Sequence, residues 1–203
     1  MLSQQQLSAL TILFRVGASD ASVALARWLG RPAKISVEKI EQLELQDATN
    51  VLGTADAPVA ACVMTMLGRV TGHLIMAFDN ESGLCLADLL LSQPSGTAHE
   101  WGEVEKSAAL ETANIIGCAY LNALSRFFHD AEATHELVPT PPRFTQDYAQ
   151  SILQFALMNQ AIASDVVFLT RTEFRIDDAP VSWKLLFVPD SDCLPSLKEM
   201  LAV

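Results

Sequence analysis

Ser107-Ala-Ala-Leu-Glu111-Thr-Ala-Asn114-Ile-Ile-Gly117 is the stretch on which the reading of this chain turns. At about 100° of rotation per helical residue, Ser107, Glu111 and Asn114 fall within an arc of roughly 60°. Leu110, Ala113, Gly117, Leu121, Leu124 and Phe128 form a separate apolar stripe, about a quarter-turn away. A hydroxyl, a carboxylate and a carboxamide therefore stand in one row beside a core-facing stripe. Such a row can orient a water molecule and grip a cationic partner. It holds no His, no strong nucleophile and no metal-ligand cluster, so chemistry there needs groups from another molecule. Spacing alone also suits a solvated helix face, with Glu111 simply favouring the helix N-terminus.

The helix has a twin. Residues 7–29 read as an amphipathic helix, with Leu7, Leu10, Leu13, Val16, Val23, Leu25 and Leu29 at helical intervals. Ser8-Ala9 aligns with Ser107-Ala108, and on the same offset Ala24-Leu-Ala-Arg-Trp-Leu29 meets Ala123-Leu-Ser-Arg-Phe-Phe128. The segments after the two helices correspond too. In the first half, strands are expected at Pro58–Leu67 and Val70–Phe78, then the acidic turn Asp79–Ser82 and a short helix Leu84–Leu91. In the second half they are expected at Val166–Phe174 and Val181–Val188, then Asp190–Asp192, with Asp190 as a cap, and a helix Leu194–Leu201. Leu67-Gly68-Arg69 and Asp177-Asp178-Ala179-Pro180 supply the turns. An earlier extended segment in each half is Ala33–Leu45 and Glu136–Phe144.

The expected architecture is α+β: a tandem, pseudo-two-fold repeat of long helix, three strands and short helix. Its antiparallel sheet is covered by the long helices. The repeats run over about 1–91 and 99–203 of one domain, joined by the breaker-rich linker Ser92-Gln-Pro-Ser-Gly-Thr-Ala98. Position for position, Glu111 corresponds to Ile12 and Asn114 to Arg15, so one long helix carries the polar pair and its twin does not.

Bulk composition narrows the function. The 203 residues are half hydrophobic, enough for a substantial core. Net charge is −11, from 13 Lys+Arg against 24 Asp+Glu, which repels phosphate backbones and argues against nucleic acid. No run approaches about 18 uninterrupted apolar residues, and Met1-Leu-Ser-Gln-Gln-Gln6 lacks a signal peptide's basic and apolar regions. The chain reads as cytoplasmic, with no membrane span. Cys62, Cys85, Cys118 and Cys193 are widely spaced among apolar neighbours, as free thiols in a reducing compartment would be. His129 and His135, with Asp130, Glu132 and Glu136, read as a polar loop rather than a metal site. No phosphate-binding glycine loop occurs, and Trp28, Trp101 and Trp183 read as core or element-edge aromatics.

With these residues in view, the chain resembles the CheC/CheX/FliY family of chemotaxis phosphatases. The family motif is helical: Asp or Ser, three residues, Glu, two residues, Asn, then a proline about 22 residues on. Ser107, Glu111 and Asn114 match its first part, and Asn114-Ile-Ile-Gly-Cys-Ala-Tyr-Leu-Asn-Ala-Leu-Ser125 resembles the CheC continuation. The likeness extends through Gly17–Leu25, Ile35-Ser-Val37, Arg69-Val-Thr-Gly72 and Phe187-Val-Pro-Asp190. The motif proline falls at Leu137, with Pro139 two residues later, and in the first half Ile12, Arg15 and Glu38 hold the Glu, Asn and Pro positions. The pattern is that of a one-site member.

The resemblance implies a substrate, the aspartyl phosphate of a CheY-type response regulator, hydrolysed by in-line water. Asn114 would orient the water and Glu111 would engage the regulator's lysine, with Ser107 a peripheral docking contact. The chain would need no cofactor of its own, the Mg²⁺ being supplied by the regulator. CheD is a further candidate partner. The competing expectation is a non-catalytic interaction module like the middle domain of FliM, or a CheC-like scaffold that binds CheD or a regulator without turning it over. Arg15 could serve the degenerate half as an anion contact, although an exposed arginine needs no role.

Overall fold

A computed structural model describes residues 1–44, 47, 50, 52, 58–126, 137–157, 166–176, 179–181 and 183–201. The first long helix is α1, Gln4–Leu29, opened by a reciprocal cap between Ser3 and Gln6 and closed by Gly30 in the left-handed region. Strands β1 (Ala33–Glu44), β2 (Pro58–Leu67) and β3 (Gly72–Asp79) come next, then α2 (Asn80–Leu90). The second long helix is α3, Glu103–Ser125. After it come β4 (Val138–Pro139), β5 (Arg143–Tyr148), α4 (Ala149–Leu157), β6 (Val166–Ile176), β7 (Ala179–Val181) and β8 (Lys184–Pro189). A 3₁₀ turn at Ser191–Cys193 leads into α5, Leu194–Met200.

The strands form one antiparallel sheet in the order β1-β6-β8-β3-β2-β4, with β5 also on β2 and β7 also on β6. At the centre of the sheet the last strands of the two halves, β3 and β8, pair from Gly72↔Pro189 to Ala77↔Lys184. Each half lends its first extended segment to the other. β1 pairs with β6 and not with β2, while β4 and β5 pair with β2 and not with β6. The two repeats are thus interleaved at the level of backbone hydrogen bonds.

Both sheet faces are covered. On one face lies the main core, where Leu10, Leu13, Phe14 and Leu25 of α1 and Ile116, Tyr120, Leu121 and Leu124 of α3 meet strand residues such as Met64, Leu74, Phe168 and Phe187. On the other, Ile152 and Leu153 of α4 pack with Val59, Ala61, Val63, Ile75, Val167 and Leu186. Double coverage explains why β2 and β3 read as near-continuous apolar runs and not as alternating ones. By composition α1 is long and apolar enough to cross a bilayer, with a mean hydropathy of 1.4 over 18 residues. Here it is laid on the sheet, with eight of its residues buried.

Several expectations need correcting. The second half has more than three strands, because its first extended segment is split into β4 and β5 and its last is broken between β7 and β8. Helix α4 has no counterpart among the expected elements. Val23, assigned to the apolar stripe of α1, is 52% exposed; Phe14, Ala18 and Ala21 carry that stripe instead. Asp79 caps α2, its Oδ1 accepting from the Ser82 N–H at 2.8 Å. Asp190 makes no side-chain cap; its carbonyl accepts from the Cys193 N–H. His129, His135, Asp130, Glu132, Glu136, Phe128 and the Asp177-Asp178 turn lie outside the described residues.

The linker is fixed. Buried Asp88 of α2 accepts hydrogen bonds from the N–H groups of Gly96, Thr97 and Ala98 at 2.7–2.9 Å. That carboxylate ties the breaker segment down and sets where α3 begins.

Candidate functional site

Helix α3 begins at Gly102, which offers no side-chain cap, and Glu103 and Glu105 complement its N-terminal dipole. Its buried side is Ala108, Ala109, Thr112, Ala113, Ile116 and Gly117. The helical period therefore turns Ser107, Glu111 and Asn114 outward together, Ser107 and Glu111 exposed and Asn114 half-buried. The three line one open depression of about 410 Å³, walled by Leu110 on the helix and by Pro139, Pro141 and Pro142 beyond it. Pro139 sits in β4, held against β2 opposite Met66. Leu137, the position the motif spacing names, is buried in the core. Pro139, two positions beyond it, lines the depression together with Pro141 and Pro142.

Within the row, the Cys118 thiol donates to Asn114 Oδ1 at 3.7 Å. Burial, and then the Glu111 carboxylate, push the Cys118 thiol up, so it stays protonated and able to donate. With its carbonyl oxygen so engaged, Asn114 has its amide N–H₂ to offer to the depression. Among the described residues the Glu111 carboxylate and the Ser107 hydroxyl have no hydrogen-bond or ion-pair partner. Spacing after Asn114 is the signal that could have found Cys118, since i and i+4 are neighbours on a helix. No group of three or more His, Cys, Asp or Glu able to hold a metal occurs among the described residues.

The matching place in the first half is built differently. Ile12 is 56% exposed where Glu111 would be. Arg15, in the place of Asn114, donates from Nε to the Val37 carbonyl at 3.0 Å and from Nη2 to the Glu38 carbonyl at 2.6 Å. Those carbonyls lie where the register of β1 slips between Val37 and Lys39. Arg15 is a backbone staple, and no anion contact is needed to explain it.

A second depression, of about 500 Å³, adjoins the first and shares Ser107 and Glu111 with it. Its further walls include Trp28 at the end of α1, Val104 of α3, and Leu90 and Leu91. Trp101 and Trp183 are buried in the core, and Trp28, at the end of α1, is 41% exposed.

No protein-family model matches the chain. In sequence it is 23% identical over 201 residues to the CheY-P phosphatase CheC of Bacillus subtilis (strain 168), spanning 97% of this chain and 93% of the relative. In fold it matches Thermotoga maritima FliY with a TM-score of 0.77 at 17% identity, covering 99% of this chain and 98% of that one. The FliM middle domain from H. pylori matches with a TM-score of 0.68 at 13% identity, covering 98% and 99%.

Proposed function

This chain is CheC-like in sequence and has the fold of FliY, and on that premise we propose that it hydrolyses the aspartyl phosphate of a CheY-type response regulator. The observation that carries the proposal is the convergence of Glu111, Asn114 and Pro139 on one open depression. On the twin helix the matching residue, Arg15, is committed to the backbone carbonyls of Val37 and Glu38 in β1.

The chemistry asks little of the chain beyond position. Phosphoryl transfer to water is governed by placement of the nucleophile and by charge neutralisation. On the family resemblance, neutralisation of the phosphoryl oxygens is the regulator's share, through its own Mg²⁺ and lysine. Asn114 supplies a neutral amide that can hold a water in line without repelling the phosphoryl group, as a second carboxylate would. Cys118 fixes which end of that amide faces outward. Glu111, free of internal partners among the described residues, is available for a charge-assisted hydrogen bond from the regulator's lysine. Ser107 stands one turn further out as a docking contact.

The FliM-like fold favours one competing reading, a module that binds a regulator without turning it over. Decay of a phosphorylated CheY-type regulator with Mg²⁺ separates the two. Faster decay with the wild-type chain and not with Asn114→Ala supports hydrolysis. Undiminished binding with no acceleration by either protein supports the module.

A further inference from the structure

We propose that Trp28, on the repeat that lacks the polar pair, is the apolar anchor that docks the regulator's receiver domain, with Val104 beside it. This rests on the proposed phosphatase function and deepens it: the second repeat supplies the chemistry and the first supplies part of the grip.

Size makes the case. A stable protein–protein contact uses about 20–30 residues a side and roughly 800 Å² per partner, a patch about 28 Å across. The seven residues around Asn114 fall well short of that. The surface that continues from them without a break is the second depression, because Ser107 and Glu111 belong to both. Val104, 59% exposed, precedes Ser107 by three positions and Glu111 by seven, so it prolongs the polar row along one helix face. From Val104 to Asn114 is about 15 Å at 1.5 Å per residue, which leaves both depressions inside one footprint. A domain that meets Glu111 and Asn114 is therefore carried over Trp28.

Single exposed apolar residues are ordinary on any surface. Here two of them wall the same depression, and one is tryptophan, the residue type whose truncation most often costs an interface its affinity. The flanking charges fit the same partner. Glu103, paired with Lys106 at 3.3 Å, lines this depression with Glu111, whose carboxylate has no hydrogen-bond or ion-pair partner among the described residues and is left for a partner that brings a lysine. Trp28 touches no reacting atom in this arrangement. It is a positioning residue, and its loss should weaken encounter and leave the chemical step alone.

The experiment pairs turnover with binding. Decay of a phosphorylated CheY-type receiver domain from the same organism is followed with Mg²⁺ over a range of receiver concentrations, for wild type, Trp28→Ala and Trp28→Phe. Binding of the same domain, activated with beryllofluoride and Mg²⁺, is measured in parallel, and thermal unfolding confirms that each variant is folded. The expected result is a KM and Kd raised at least tenfold in Trp28→Ala, with kcat within twofold of wild type and most of the loss recovered in Trp28→Phe. Wild-type turnover with an unchanged KM and Kd in Trp28→Ala overturns the anchor and leaves the phosphatase standing, and wild-type binding without turnover at an unchanged Kd overturns both. Wild-type binding without turnover, still weakened by Trp28→Ala, overturns the phosphatase and leaves the anchor. A wild-type chain that neither binds nor accelerates decay for any CheY-type receiver of the organism overturns both.

Discussion

Arg15 and Asn114 hold matched places on twin helices, and their surroundings give them different work. The Arg15 guanidinium reaches two carbonyls exposed by the irregularity in β1. Hydrogen bonds from a charged donor contribute about 1.5–3 kcal/mol each when shielded and less when exposed, as here. Arg15→Ala should therefore lower stability by about 1 kcal/mol in urea unfolding while leaving dephosphorylation within twofold. A large loss of activity with unchanged stability would place a working site on the first repeat as well. Cys62, on the core side of β2, makes a different kind of statement. Burial pushes its thiol up to about 12 from an ordinary 9.0. Below about pH 9 the thiol is protonated in both folded and unfolded chains; above it the unfolded chain releases the proton and the folded one does not. Stability must then fall as pH rises from about 9 towards 12, by at most about 1.4 kcal/mol per unit for this group. Urea midpoints at about pH 8, 9 and 10 should decline less steeply in Cys62→Ala than in wild type, and equal slopes would contradict that account.

At the scale of elements, the close packing of α1 on α3 turns on one glycine. A Cβ at Gly17 would stand 2.7 Å from Tyr120 Cδ1 and 2.9 Å from Tyr120 Cα, so backbone would have to yield. At Gly117 the nearest atoms are the Sδ and Cε ends of Met64, which can swing aside. Alanine gains about 1 kcal/mol over glycine in a helix interior, while overpacking costs about 1–3 kcal/mol. Thermal unfolding should show Gly17→Ala destabilised by about 1–2 kcal/mol and Gly117→Ala close to neutral; the reverse order would mean that the helices are not seated this way. Helical periodicity made both long helices, and the row on α3, readable from residue order alone. β2 and β3 were equally legible, because apolar runs bounded by turn residues leave few alternatives. Helix α4 was not legible, because Ala149-Gln-Ser-Ile-Leu-Gln-Phe-Ala-Leu157 carries no cap or charge pattern to mark its start. Trp28, at the last turn of α1, is an element-edge aromatic and 41% exposed, while Leu29 beside it packs on the core.

For the molecule as a whole, the exchange of first strands is the feature that matters most. Each half closes its sheet with the other's extended segment, so neither is complete alone. Which strand pairs with which depends on contacts far apart in the chain, and residue order carried no sign of it. The consequence reaches the site. Asn114 rides on α3, but Pro139 faces it from a strand that is hydrogen-bonded to β2 of the first half. The Gly72 position belongs to the same frame: at φ +140° it lies where side chains are strained, and a Cβ there would overlap the Val188 carbonyl across the central strand pair. On our proposal the first repeat thereby serves as scaffold and grip for chemistry carried by the second.

The central claim is that Asn114 does the work of a phosphatase on an aspartyl phosphate, and the most direct measurement is decay of a phosphorylated CheY-type receiver with Mg²⁺, beside wild type and Asn114→Ala. Removing a single positioned polar group of this kind costs about a hundredfold in rate. The expected result is acceleration by wild type, loss of about that factor in Asn114→Ala, and binding of the receiver kept within a few-fold. Equal acceleration by the two proteins would contradict the assignment of Asn114, and no acceleration by a wild-type chain that binds the receiver would contradict hydrolysis itself.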